Sequence, residues 1–229
     1  MKRTPEIEAF IKKRDHSEKV KKLENFRRLN KMAKKGQILF TGSSLMEQFP
    51  VSEIAMNHDL GKCIYNRGIK GFKTEDMISN IDVMLLDLEP KYVFINIGTN
   101  DICTYPDGES WQDVLKRNYD YILSQLKKKL PETVAYVMAY YPMNEADEEG
   151  LKKARSLGFI RTNEMIREAS AIAESLADKY GYNFINVNAG LTDANDNLNK
   201  KFCKDIIHFY ADGYEIVYNN LEKYLLDLK

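Results

Sequence analysis

The sequence predicts an α/β protein, a three-layer α/β/α sandwich on a five-stranded, mainly parallel sheet, and three observations carry that prediction. Five short runs of strand chemistry, at residues 37–41, 63–66, 92–97, 133–138 and 183–187, are separated by long helical stretches, so they need crossovers rather than hairpins. Residues 92–97 are apolar almost throughout, the pattern of a strand covered by helices on both faces. The first and third runs end in small or polar residues, Gly42-Ser43-Ser44 and Gly98-Thr99-Asn100, and strand ends are where α/β folds keep their chemistry.

Taken in order, the chain up to about residue 35 reads as helix, with Ile7, Phe10, Ile11, Val20, Leu23, Phe26 and Leu29 in loose helical spacing and Gly36 to stop it. The strand at 37–41 runs into the Gly-Ser-Ser turn, and a short helix or loop continues to Pro50. The second strand ends in the glycine-containing turn Gly68-Ile69-Lys70-Gly71. Thr74 then caps a helix with Glu75 and Asp76 in its first turn and Ile78, Ile81, Leu85 and Leu88 on its inner stripe, and Pro90 closes it. After the central strand at 92–97 and the turn Tyr105-Pro106-Asp107-Gly108, a helix points Leu115, Tyr119, Ile122 and Leu126 inward. Pro131 and the fourth strand follow, then an irregular, acidic stretch at 140–150. A long helix carries Ile166, Ala169, Ala173, Leu176 and Tyr180 on one stripe and stops at Gly181, before the fifth strand. The last helix begins near Asp212, with Glu215 three residues on as a capping-box pattern, and buries Tyr214, Val217, Leu221 and Leu225.

A chain of 229 residues can bury a full core as one domain, here 37–229, with residues 1–36 as an N-terminal helical extension. Lys plus Arg equals Asp plus Glu at 34 each, so no global field recruits nucleic acid or an anionic membrane. Residues 1–35 nevertheless hold 13 Lys/Arg against 5 Asp/Glu, a local charge of +8 that the rest of the neutral chain balances. That segment reads as a solvated helix on an acidic body, in preference to a polyanion-binding arm, and as the surface through which a homo-oligomer would form. No apolar region follows the basic start and no run approaches the ~18 residues of a membrane span, so the expected location is cytoplasmic. Cys63, Cys103 and Cys203 are an odd set without paired spacing, which fits reduced thiols in packing roles.

Chemistry concentrates in four blocks: Gly42-Ser43-Ser44-Leu45, Asn66-Arg67-Gly68-Ile69-Lys70-Gly71, Gly98-Thr99-Asn100-Asp101 and Asp205-Ile206-Ile207-His208. In this order they resemble the SGNH hydrolases, the GDSL esterase/lipase superfamily, over about residue 37 to the C-terminus. The resemblance implies that Ser44 is the nucleophile, Gly71 the oxyanion glycine, Asn100 the oxyanion amide, and Asp205 and His208 the rest of a catalytic triad. Two positions depart from the family pattern. Ser43 stands where aspartate is usual, and Ile206 where glycine is common. Neither belongs to the triad, so both bear on local turn geometry. Each block alone is weak, and the set in order is strong.

The physics of the residues agrees. A serine hydroxyl needs an adjacent base, and only His208 has a carboxylate three residues before it; His16 and His58 read as surface residues. The N–H groups of Ser44 and Gly71 with the Asn100 side-chain amide offer three donors to a developing oxyanion. In a flavodoxin-like strand order 2-1-3-4-5, strands one and three are neighbours whose connections leave in opposite directions, so Ser44 and Asn100 meet at the switch point. The expected function is hydrolysis of a small-molecule carboxylic ester through an acyl-enzyme on Ser44, without metal or cofactor. No long apolar lid is visible, which favours small acyl groups, O-acetyl on carbohydrate among them. Tyr105, Trp111, Tyr140 and Tyr141 follow strand ends and are candidates to line the substrate pocket. The chain lacks the Gly-x-Ser-x-Gly elbow of α/β-hydrolases. A flavodoxin-like phosphate or nucleotide binder, using the Gly-Ser-Ser turn as an anion nest, is one alternative, but it leaves Asp205 and His208 unexplained. A binding protein on an inactive hydrolase scaffold is another, raised by Ser43.

Overall fold

A computed structural model describes residues 4–228 and arranges five parallel strands in the order β2-β1-β3-β4-β5. They are β1 (Ile38–Gly42), β2 (Ile64–Asn66), β3 (Tyr92–Asn96), β4 (Val134–Met138) and β5 (Asn183–Ile185). The helices are α1 (Pro5–Met32), α2 (Ser44–Glu47), α3 (Val51–Asn57), α4 (Thr74–Ser79), α5 (Trp111–Lys129), α6 (Glu148–Arg155), α7 (Asn163–Tyr180) and α8 (Ala211–Leu226). The strand order and the parallel sense are those expected from the sequence.

Alternation along the strands divides the core in two. Leu39, Val93, Ile95, Ala135 and Val137 face a layer that includes Leu115, Ile122 and Leu126 of α5 and Ile166, Ala169 and Ala173 of α7. Phe40, Phe94 and Met138 face the other layer, with Ile54 of α3 and Tyr214, Val217 and Leu221 of α8. Register explains an aromatic ladder on that second face. Phe40 pairs with Phe94, and Phe94 with Tyr136, and their rings stack at 4.6 and 4.7 Å between centroids. Such pairs are worth roughly 0.5–1.5 kcal/mol each beyond the area they bury.

Several local expectations are corrected. α1 ends at Met32, because Ala33 is already extended, and Gly36 makes the following turn at φ +71°. Thr74 is the first helical residue of α4 rather than its cap: its hydroxyl turns inward to Asp101, and Asp76 Oδ2 accepts the Lys73 N–H at 2.9 Å instead. The apolar stripe after α4 passes through a π turn at Asp82–Leu86, which shifts the helical phase and buries Met84 and Leu85 together. The Asp212–Glu215 capping box does not form, since α8 starts at Ala211 and Glu215 bonds His58 instead.

The C-terminal half of α1 is fixed to the body through Leu23 and Phe26, and through Asn30, which donates to the Val83 carbonyl and accepts from Arg67 Nε, both at 2.9 Å. Its first half leaves Ile7 and Phe10 exposed. Among the described residues no helix is long and apolar enough to cross a membrane.

Candidate active site

The site begins where β1 runs out. Gly42 has φ +155°, and a Cβ there would lie 1.9 Å from the Asn96 carbonyl oxygen, so only glycine lets β1 pass this close to the end of β3. The Ser43 N–H bonds that same oxygen at 3.3 Å, and Glu47 N–H returns to the Ser43 carbonyl at 2.9 Å. Backbone bonds therefore hold the turn, and the Ser43 side chain, which makes no cap bond, is not needed for its geometry. Ser44 is the first residue of α2, so its N–H has no acceptor within the helix, and the residue is 9% exposed.

The fourth block is a loop closed at its base. Cys203 and Phe209 form an antiparallel bridge, and Lys204 N–H donates to the His208 carbonyl at 2.8 Å. Inside it Asp205 Oδ1 accepts from the Ile207 and His208 N–H groups, each at 2.8 Å, while Oδ2 faces His208 Nδ1 at 2.8 Å. Burial pushes the Asp205 carboxyl up, but the His208 side-chain bond and the two backbone bonds outweigh it and bring it down to about 2. An ionised carboxylate can only accept, so Nδ1 carries the proton in the neutral ring and Nε2 presents a lone pair. That lone pair faces Ser44 Oγ at 2.9 Å. The arrangement can take the proton of the serine hydroxyl and hold the resulting imidazolium. Ile206, in place of the family's glycine, is buried, and its carbonyl accepts from Asn144 N–H at 2.8 Å, so it anchors the loop to the core.

The second and third blocks meet where Asn100 bonds Phe72, the residue after Gly71. Asn66 ties the loop after β2 to α2: Nδ2 donates to the Met46 carbonyl at 2.6 Å and Oδ1 accepts from Gly68 N–H at 2.8 Å. Gly71 adopts φ +71°, a left-handed conformation that favours glycine, and its N–H has no acceptor among the described residues. Asn100 lies in a 3-10 turn, Thr99–Asp101, with Nδ2 donating to the Phe72 carbonyl at 2.9 Å and Oδ1 accepting from Arg161 Nη2 at 3.1 Å. One N–H of that amide remains uncommitted. Asp101 is fully buried and accepts from the Thr74 N–H and hydroxyl, and burial raises its carboxyl to about 6 against those bonds.

Sequence reasoning missed Arg161, and it left Asp101 and Thr74 out of the site. Asp101 lies inside the third block, next to Asn100, and that adjacency is the available signal. Nothing in the local pattern around Arg161 marks it, because its partner is 61 residues away.

The aromatic candidates are placed differently from expectation. Tyr140 is buried, with its hydroxyl donating to the Ile97 carbonyl at 2.6 Å. Tyr141 is buried with its ring edge-on to Phe209, and Trp111, the first residue of α5, is buried in the core. All three residues are almost wholly buried. Tyr105 is half-buried beneath the Lys73 ammonium, 4.8 Å from its ring centroid. Among the described residues no group of three or more His, Cys, Asp or Glu could hold a metal ion.

The model of the GDSL-like Lipase/Acylhydrolase family matches residues 55–216, a span that contains Gly71, Asn100, Asp205 and His208 and begins after Ser44. No curated protein sequence matches the chain. A Streptococcus pneumoniae structure, provisionally named a platelet activating factor, is 27% identical with a TM-score of 0.84, covering 97% of this chain and 100% of its own. A GDSL-like lipase from Bacteroides thetaiotaomicron aligns at TM-score 0.71 and 18% identity, over 89% of this chain and 96% of that one. An acetylxylan esterase from Geobacillus stearothermophilus aligns at TM-score 0.63 and 13% identity, over 86% and 97%. At those last two identities the likeness is one of fold.

Proposed function

Because the chain belongs to the GDSL-like lipase/acylhydrolase family, in the SGNH hydrolase superfamily, and so is an ester-hydrolysing serine hydrolase, we propose that Ser44 is the residue it acylates. The observation that carries this reading is the unbroken line from Asp205 through His208 to Ser44, with contacts of 2.8 and 2.9 Å. Ser44 Oγ attacks the ester carbonyl as its proton passes to His208 Nε2. Asp205 keeps the ring in the required tautomer and balances the imidazolium. The N–H groups of Ser44 and Gly71 and the free N–H of Asn100 receive the carbonyl oxygen as it becomes anionic. Collapse expels the alcohol, which takes its proton from His208, and water then releases the acid by the same steps in reverse roles.

The substrate in this reading is an ester of a small acyl group, with O-acetyl on carbohydrate as the first choice. Polar residues close in sequence to Ser44 and His208 support that choice. Lys204 Nζ bonds Gln48 Oε1 at 3.3 Å, and Glu47, three residues after Ser44, pairs with Lys22 at 2.8 Å. Polar neighbours of this kind suit a hydroxylated alcohol better than a long hydrocarbon. Fold neighbours that include an acetylxylan esterase lean the same way. A p-nitrophenyl ester series of increasing acyl length, followed by acetylated xylo-oligosaccharides, is the test. We expect kcat/KM to be highest on acetate and to fall with chain length, with acetate released from the sugars; a preference that grows with chain length would overturn the small-acyl reading.

A further inference from the structure

Arg161 lies beside the proposed oxyanion donors, and the chemistry above gives it no part. It is 7% exposed, and a guanidinium carries five N–H donors. One goes to Asn100 Oδ1 at 3.1 Å, whereas Nε is buried without a hydrogen-bond partner among the described residues. The Asp101 carboxylate favours the Arg161 charge electrostatically, but it accepts its hydrogen bonds from Thr74 rather than from the guanidinium. The guanidinium carbon also sits 5.1 Å from the centre of the Phe159 ring. Burying a cation with so few bonds is costly, and replacing such groups by apolar residues is often neutral or stabilising. Stability therefore gives no reason for an arginine here.

Asn100 does. Its amide oxygen accepts from the guanidinium and one N–H donates to the Phe72 carbonyl at 2.9 Å. These two bonds decide which end of the amide is nitrogen and fix the direction of the remaining N–H. A charge-assisted bond to the oxygen also polarises the amide, which strengthens that N–H as a donor. Resting on the reading of Asn100 as an oxyanion donor, we propose that Arg161 is a positioning residue. It locks and polarises the Asn100 amide so that its free N–H meets the oxygen that becomes anionic during attack. Arg161 acts through Asn100 and touches neither substrate nor nucleophile.

The test is a double-mutant cycle on p-nitrophenyl acetate with Arg161→Met, Asn100→Ala and the double variant, each checked for folding by thermal melting. Arg161→Met is expected to lower kcat on the order of 10- to 100-fold, within the range that coupled neighbours cover, with KM unchanged. The double variant should be no slower than Asn100→Ala, because no amide is left to position. Arg161→Lys, which keeps a charge and a donor, should recover part of the loss. Losses that multiply, or a KM that rises with kcat intact, would overturn the proposal. If Arg161→Met does not fold, Arg161→Lys takes its place in the same cycle, with the same two outcomes. A wild-type protein that cleaves no ester, or a Ser44→Ala variant that still does, sinks the parent reading instead. Ser44-dependent activity with multiplying losses sinks the Arg161 role alone.

Discussion

His208 and His58 are both held by carboxylates, yet they are prepared for opposite tasks. His208 meets one carboxylate, Asp205, and one hydroxyl, Ser44, at 2.8 and 2.9 Å. His58, at the end of α3, meets Glu215 at 2.7 Å and Glu222 at 3.1 Å, both on α8, and leans on the Tyr218 ring at 4.7 Å. Carboxylates only accept, so His58 must donate from both nitrogens and is held as a cation. The Glu215 bond raises its pKa most, and with the Glu222 bond it outweighs burial. A ring with both N–H groups engaged has no lone pair for a substrate's proton. It pins α3 to α8, and its charge suits a helix C-terminus. The proposed general base therefore differs from a structural clamp by the identity of one partner, and a histidine beside an acid in sequence does not distinguish them.

The largest test of this contrast is Asp205→Asn. An amide can donate to Nδ1, which moves the ring proton to Nε2 and removes the lone pair facing Ser44, leaving His208 as unreceptive as His58. Turnover should fall on the order of 10,000-fold in kcat, measured by ester hydrolysis; activity near wild type would show that the carboxylate does not set the tautomer.

Asn100→Ala comes next and separates the base from the oxyanion donors. The proposed role predicts a loss of roughly 100- to 1,000-fold in kcat with KM unchanged, because the donor meets charge only in the transition state. A change confined to KM would make Asn100 a binding residue.

The smallest effect is on stability, and its pH dependence has opposite signs at the two sites. The pKa of His58 is raised on folding, so its contribution is fully present below the ordinary ~6.5 of histidine and is lost as pH rises through the elevated value. Asp205 is depressed to about 2, so its contribution is present above the ordinary ~3.9 and is lost as pH falls towards 2. His58→Gln should lower Tm at pH 6 more than at pH 9 and leave kcat unchanged. A Tm loss of equal size at both pH values would mean that the clamp is not ionic.

What the sequence could reveal follows the range of the interactions. The sheet was legible because each apolar run is its own signal, and residues 92–97 state their two-sided burial in the run itself. The pairing of Asp205 with His208 was legible because three residues of chain suffice to close it. Arg161 with Asn100, and His58 with Glu215 and Glu222, join elements 61, 157 and 164 residues apart, and no local pattern encodes such meetings. Thr74 reads as a cap because a capping threonine and one that bonds a buried aspartate look alike in sequence. Tyr140 and Tyr141 were misread because an aromatic residue after a strand carries no periodicity to say which way it turns. Here both turn into the core.

The central claim is that His208 readies Ser44, and fluorophosphonate labelling with peptide mass mapping tests it most directly. Wild type, Ser43→Ala and His58→Ala should all carry the adduct on Ser44, whereas Ser44→Ala and His208→Ala should carry none on the fast timescale of the wild type. An adduct on Ser43, or labelling of Ser44 at an undiminished rate in His208→Ala, would contradict the account.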